Sequence, residues 1–141
     1  MRGKIAAVCI LGCLGLFFGM FHAEAQVALS AEMPQLHYLQ YEPVYVRVTM
    51  RNVSGHPLAF GETQGLRGDL RFEIDTPTSG RYAPLLSKET PTMRGIILQP
   101  GTSRTFTYNV TAFYDVRRPG SYTLKAVISH PQLKSAYESN K

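Results

Sequence analysis

The amino-acid sequence predicts an all-β chain folded as a two-sheet antiparallel sandwich of about seven short strands. All nine prolines and eight of the twelve glycines fall in the last 116 of the 141 residues, and helix breakers at that density leave no room for long helices. In several segments apolar residues recur at every second position, the period of a strand with one buried face. Turn-forming clusters separate these segments every 8 to 12 residues or so, the spacing of sandwich folds.

Residues 1–25 read as an export signal. Arg2 and Lys4 form a basic start, residues 5–21 are almost wholly apolar, and Ala23-Glu24-Ala25 offers a small-x-small cleavage site before Gln26. Cleavage is expected after Ala25, giving a domain of residues 26–141 in a periplasmic or extracellular location, with no membrane attachment afterwards. An uncleaved anchor is the competing reading, but the apolar run of 17 residues falls short of the roughly 20 that a spanning helix needs. Lipid attachment at Cys13 is opposed by bulky Leu11 and by the apolar residues that follow. Cys9 and Cys13 both lie in the signal, so the exported domain is disulfide-free and relies on packing.

The elements follow in order. Over residues 43–52, Val44, Val46, Val48 and Met50 alternate with Tyr45, Arg47, Thr49 and Arg51, the clearest strand of the chain. Asn52-Val53-Ser54-Gly55-His56-Pro57 forms a turn, and Leu58-Ala59-Phe60 starts the return. Beyond the glycine-rich stretch 61–68, Leu70, Phe72 and Ile74 give a second inward-facing triplet. Residues 76–80 turn the chain into 81–86, where Pro84 indicates an edge strand, and residues 87–94 read as a polar loop. Ile96-Ile97-Leu98 is a short apolar strand. Phe106, Tyr108 and Val110 mark the next alternation, and Tyr122, Leu124, Ala126 and Ile128 the last clear one. Leu133 to Tyr137 shows no alternation, so the final strand is expected to be short or missing. The edge at Thr123, Lys125 and Val127 would then offer unpaired backbone groups for strand addition by a partner or a second copy.

At Asp115-Val116-Arg117-Arg118-Pro119-Gly120-Ser121-Tyr122-Thr123-Leu124 the chain resembles the corner of immunoglobulin-type domains, an Asp followed by Gly-x-Tyr and a core residue. The resemblance implies that Tyr122 bonds its hydroxyl back to the corner backbone, with Asp115 and Gly120 shaping the turn. Leu124 stands where true immunoglobulins carry a disulfide cysteine, and the chain has no Trp, so only the wider immunoglobulin-like, fibronectin III-like class is implied. Together with Tyr41-Glu42-Pro43-Val44, Arg51-Asn52-Val53-Ser54-Gly55, Gln99-Pro100-Gly101 and Phe113-Tyr114-Asp115, the pattern resembles accessory sandwich domains of secreted bacterial proteins. Similar domains precede the catalytic unit of some exported metallopeptidases, and bacillus-type proteinase inhibitors share the general pattern. In those domains the closing strand begins about where this sequence stops. One sandwich hosts many roles, so the resemblance implies fold more than function.

Catalytic constellations are lacking in the sequence. His37, His56 and His130 lie far apart with no cysteine to complete a zinc set, and His56 and His130, each beside a proline, read as surface or turn residues. There is no Gly-x-Ser-x-Gly elbow. Glu73 and Asp75 share a strand face with Arg71, which reads as a solvated charge ladder rather than a glycosidase pair. No cofactor is expected. The full chain carries 15 Lys plus Arg against 10 Asp plus Glu. These basic residues are scattered, so no nucleic-acid partner is expected.

Two loops carry candidate contacts. Glu62 and Arg67 lie in the glycine-rich stretch, a connection between sheets that could also serve as a ligand loop, though it lacks the ending of a phosphate loop. Lys88 and Arg94 lie in the polar loop, where either could enter a basic-specific protease pocket. Tyr38, Tyr41 and Tyr45 cluster near the strand of residues 43–52, placed for core or rim packing or for an interface. Asn52-Val53-Ser54 and Asn109-Val110-Thr111 match the glycosylation triplet and read as incidental. The expected function is therefore an exported, non-catalytic interaction or accessory module, alone or within a longer architecture, with a protein or surface polymer as partner. The alternatives are a proteinase inhibitor and a carbohydrate-binding module whose stacking platform would be tyrosines.

Overall fold

The structure, a computed structural model, describes residues 26–78 and 81–140. The expected export signal, its cleavage site and both cysteines lie outside the described residues, as do Ser79, Gly80 and Lys141. Among the described residues nine strands run β1 (Val27–Glu32), β2 (Tyr45–Asn52), β3 (Leu58–Phe60), β4 (Gly68–Asp75), β5 (Thr92–Met93), β6 (Ile96–Leu98), β7 (Ser103–Asn109), β8 (Thr123–Ser129) and β9 (Tyr137–Glu138). One 3-10 turn, Val110–Ala112, follows β7. All pairings are antiparallel: a sheet ordered β1-β2-β7, a sheet ordered β5-β4-β8-β9, and a ribbon of β3 with β6.

The alternation read from the sequence is what builds the core. Val46, Val48 and Met50 of β2 are buried with Leu70, Phe72 and Ile74 of β4 and Leu124, Ala126 and Ile128 of β8. The two larger sheets thus share one apolar layer, the arrangement of a β-sandwich. Phe72 of β4 meets Tyr108 of β7 edge-on at 5.9 Å, joining the sheets across that layer. Desolvation pushes the Tyr108 hydroxyl up to about 12, so it stays protonated at neutral pH.

Three elements differ from the expectation. Strand β1 was not legible, since Val-Ala-Leu-Ser-Ala-Glu has small residues and a weak period, yet it pairs with β2 along its whole length, from Val27 opposite Asn52 to Glu32 opposite Arg47. Residues 81–86 form no strand and make two isolated bridges, Asp75 with Tyr82 and Leu85 with Tyr114. Pro84 has no N–H to extend a ladder between them. Inside the expected polar loop, Thr92–Met93 pair with Gly68–Asp69 as β5.

Because β5 covers only the start of β4, the rest of that edge is closed by side chain and loop. The buried Phe72 N–H donates to the Tyr114 hydroxyl at 2.9 Å, and the Ala83 N–H donates to the Ile74 carbonyl at 2.8 Å.

His130 is a core residue rather than a surface one, at 6% exposure. Its ring packs against that of Phe60 at 4.6 Å in a tilted arrangement, its Nδ1 accepts from the Gln132 N–H, and its Nε2 lies 3.0 Å from the Leu66 carbonyl. Nε2 therefore carries the proton. Asn52, fully buried, joins β2 to the ribbon: its side-chain amide nitrogen donates to the carbonyls of His56 and Leu98, both at 2.8 Å, and its oxygen accepts from the Ser54 N–H and hydroxyl.

The last strand is short, as expected, but the edge it leaves is not the one anticipated. β9 pairs Glu138 with Val127 and Tyr137 with Ile128, and the Ser139 N–H donates to the Ala126 carbonyl at 2.8 Å. Backbone groups alternate sides along a strand, so Ala126 faces β9 while Thr123, Lys125 and Val127 turn theirs toward Asp75, Glu73 and Arg71 of β4. Those three residues offer no free ladder, and Val127 is itself buried. The tail also latches the other sheet. Asn140 bonds both backbone groups of Ala31, and the Tyr137 hydroxyl accepts from the Gln26 N–H at 2.9 Å.

Candidate functional site: a groove at one end of the sandwich

Between β1 and β2 the chain makes a twelve-residue strap, 33–44, with Pro34 near its start and Pro43 near its end, neither of which can donate to a ladder. A local turn shapes it: the Glu42 carboxylate accepts from the Leu39 N–H at 2.7 Å, the Glu42 N–H donates to the Leu39 carbonyl at 3.0 Å, and Tyr41 takes a left-handed φ of 68°. The strap holds apolar side chains in water, with Leu36 86%, Leu39 81% and Tyr41 75% exposed.

Facing the strap is the corner 115–122. The Tyr122 hydroxyl donates to the Arg118 carbonyl at 2.7 Å, four residues upstream, which is the bond expected of it. Tyr122 is half-buried rather than enclosed. Gly120 has a φ of 147° and rests against the Pro77 ring so closely that a β-carbon would collide with it. Asp115 accepts at 3.4 Å from the Arg117 N–H and donates its own N–H to the Pro84 carbonyl.

Strap and corner wall a groove of about 790 Å³ whose floor includes Val44, Ile74, Val110 and Leu124. Ile74, Val110 and Leu124 are also members of the core, so the floor is the end of the apolar layer between the sheets. Val44 is fixed there by the Val110 N–H, which donates to its carbonyl at 2.8 Å. The rim is basic. Arg117 has Asp115 at 4.0 Å, while Arg118 has no carboxylate within 4 Å among the described residues. Glu42, the one carboxylate of the lining, is turned into the strap. The Tyr38 hydroxyl is buried with no hydrogen-bond partner among the described residues. The groove is thus apolar in depth with arginines at its mouth, a composition common among small-molecule sites. The tyrosines of the strap were visible in the sequence as a cluster. Leu36 and Leu39 were not singled out, although apolar residues in a proline-bounded segment without strand period are the available sign.

The two loop candidates meet each other instead. Arg94 lies 3.5 Å from the Glu62 carboxylate, and with Arg67, Gly61 and Met93 they line a hollow of about 240 Å³. Arg67 is 3.8 Å from Asp69, so both arginines already face carboxylates. Lys88 is exposed in the adjoining loop and does not line the hollow.

The charge ladder is present and longer than anticipated. Arg71 and Lys125 flank Glu73 at 3.2 and 3.0 Å, and Lys125 also reaches Glu138 of β9 at 2.8 Å. The hydrogen bond from Lys125, more than that from Arg71, holds the Glu73 carboxyl below its ordinary value. Glu138 and then Glu73 push the Lys125 ammonium up. Lys125 is thus a brace between β4, β8 and β9. Among the described residues no group of three His, Cys, Asp or Glu side chains is placed to hold a metal ion, and no helix is long and apolar enough to cross a membrane.

No protein-family model, curated protein or solved structure matches the chain.

Proposed function

We propose that this chain is an exported, non-catalytic binding module of immunoglobulin-like build, and that its binding surface is the groove between strap and corner. The observation that carries the reading is the strap itself: twelve residues that hold leucine and tyrosine side chains in water above a groove reaching the core. An exposed apolar cluster of this kind marks a contact surface more often than a structural need. The immunoglobulin-like build draws support from the strand neighbours. With β1, β2 and β7 as strands A, B and E, and β4, β8 and β9 as C, F and G, the pairings follow that fold's order, and the Tyr122 bond closes the corner. Export rests on the reading of residues 1–25.

The test is a fragment screen on the exported chain followed by amide chemical shifts. Hits are expected to move the amides of residues 36–42, Val116, Tyr122 and Leu124. Hits confined to the hollow around Glu62 and Arg94 would refute the assignment of the groove. The inhibitor reading draws on the exposure of Lys88 and Arg94, though the Glu62 carboxylate lies 3.5 Å from Arg94 and would compete for it.

A further inference from the structure

We infer that the groove receives a single-chain anionic amphiphile, a free alkyl carboxylate, its chain lying between the sheet ends and its head group at Arg118. This rests on the reading that the groove is the binding surface, and it puts one small molecule there in place of the protein or surface polymer expected from the sequence.

The floor sets the tail. Val44 and Val110 come from the β2–β7 side and Ile74 and Leu124 from the β4–β8 side, so an entering chain contacts both sheets at the end of their common apolar layer. A volume of about 790 Å³ falls within the range of roughly 300–1,000 Å³ typical of small-molecule sites.

The walls set the shape. The Gln40 side-chain amide reaches the Arg117 carbonyl at 3.5 Å, linking strap to corner. An extended peptide or glycan needs a trough open at both ends, and this contact crosses it. A chain with one free end needs only a mouth.

The rim sets the head. Arg117 is shared with Asp115, Arg118 has no carboxylate partner among the described residues, and Glu42 is spent on the strap's own backbone. A carboxylate at the mouth meets the Arg118 guanidinium, which has no acidic partner within 4 Å among the described residues and whose fork matches its geometry. A quaternary ammonium head placed beside that guanidinium carries the wrong sign. A sugar would find few donors and acceptors in the apolar depth.

Calorimetric titration of the exported chain with octanoate, decanoate and dodecanoate, each below its micelle threshold, reads this directly. One saturable site is expected, tightening about fourfold for each added methylene until the groove is filled. Decyltrimethylammonium should bind roughly tenfold more weakly than decanoate. Arg118→Gln should weaken decanoate about fivefold and leave decanol unchanged, with the melting temperature verifying that the variant is folded. Leu39→Asp, a change on an exposed side chain, should weaken decanoate as well.

The inference is overturned by dodecanoate showing no saturable binding below about 1 mM, by equal affinity for the two head groups, or by unchanged decanoate affinity in both variants. If other fragments still move the Val116, Tyr122 and Leu124 amides, only the ligand class falls. If nothing moves them, the groove as binding surface falls with it.

Discussion

Changing Tyr114 to Phe removes one oxygen from the core and leaves one backbone donor without an acceptor. Tyr114 is 4% exposed, and its hydroxyl takes the Phe72 N–H at 2.9 Å. β5 starts only at Thr92, opposite Asp69, so no strand beside Phe72 supplies a carbonyl in its place. The ring survives the substitution, and with it the edge-on contact to Phe72 at 6.2 Å. The cost is therefore that of an unsatisfied buried N–H, about 1–3 kcal/mol. Burial pushes the Tyr114 hydroxyl up, so it is protonated across the neutral range. Two other tyrosines calibrate this value. Tyr122→Phe removes a bond at a half-buried site that water can reach, for about 0.5–1.5 kcal/mol. Tyr38→Phe removes a hydroxyl that has no partner, so it should be neutral or stabilising. Urea unfolding of the three variants measures the series. A Tyr114→Phe loss below about 0.5 kcal/mol, or a Tyr38→Phe loss larger than it, would refute the reasoning.

Other perturbations have equally definite outcomes. Val46→Ala and Ile128→Ala, both at fully buried positions, should each destabilise by roughly 1–4 kcal/mol in the same assay. Gly120→Ala meets both a positive φ and the Pro77 ring, so a loss of about 1–3 kcal/mol is expected, together with shifted Tyr122 and Leu124 amide resonances. The Lys125–Glu73 pair should hold β8 to β4 most firmly between about pH 4.5 and 10.5, the ordinary values of its two groups. The lowered Glu73 loses its contribution as acid titrates it, and the raised Lys125 loses its own as alkali does. Hydrogen exchange at the Glu73 amide, which faces β8, should report the acid arm, and Lys125→Met should flatten it.

The strands legible in the sequence were those with one wet face. Val46, Val48 and Met50, or Leu70, Phe72 and Ile74, alternate because each sheet buries one side, and the period survives translation into structure. β1 escaped because its partner β2 supplies the large side chains while its own are mostly small. The burial of His130 escaped because it depends on Phe60 and Leu66, some sixty to seventy residues away. Local sequence carries no record of that contact. At the groove, the Gly120–Tyr122 wall was readable as a corner motif, since turn chemistry is local. The strap's place over the groove was not, because its apolar residues and prolines mark a surface segment without saying which part of the fold it stands above.

The burial of Asn52 has a consequence for the triplet Asn52-Val53-Ser54. Glycan attachment requires the side-chain nitrogen, and here both of its hydrogens are held by carbonyls in a space with no solvent access. Produced in a host that glycosylates, the chain could accept a sugar at this site only before β2 and the β3–β6 ribbon close around it. A glycan once attached would keep them from closing. Occupancy at Asn52 would then act as a clock on folding, recording the fraction of chains that met the transferase before this region shut. Folding and modification there exclude one another molecule by molecule.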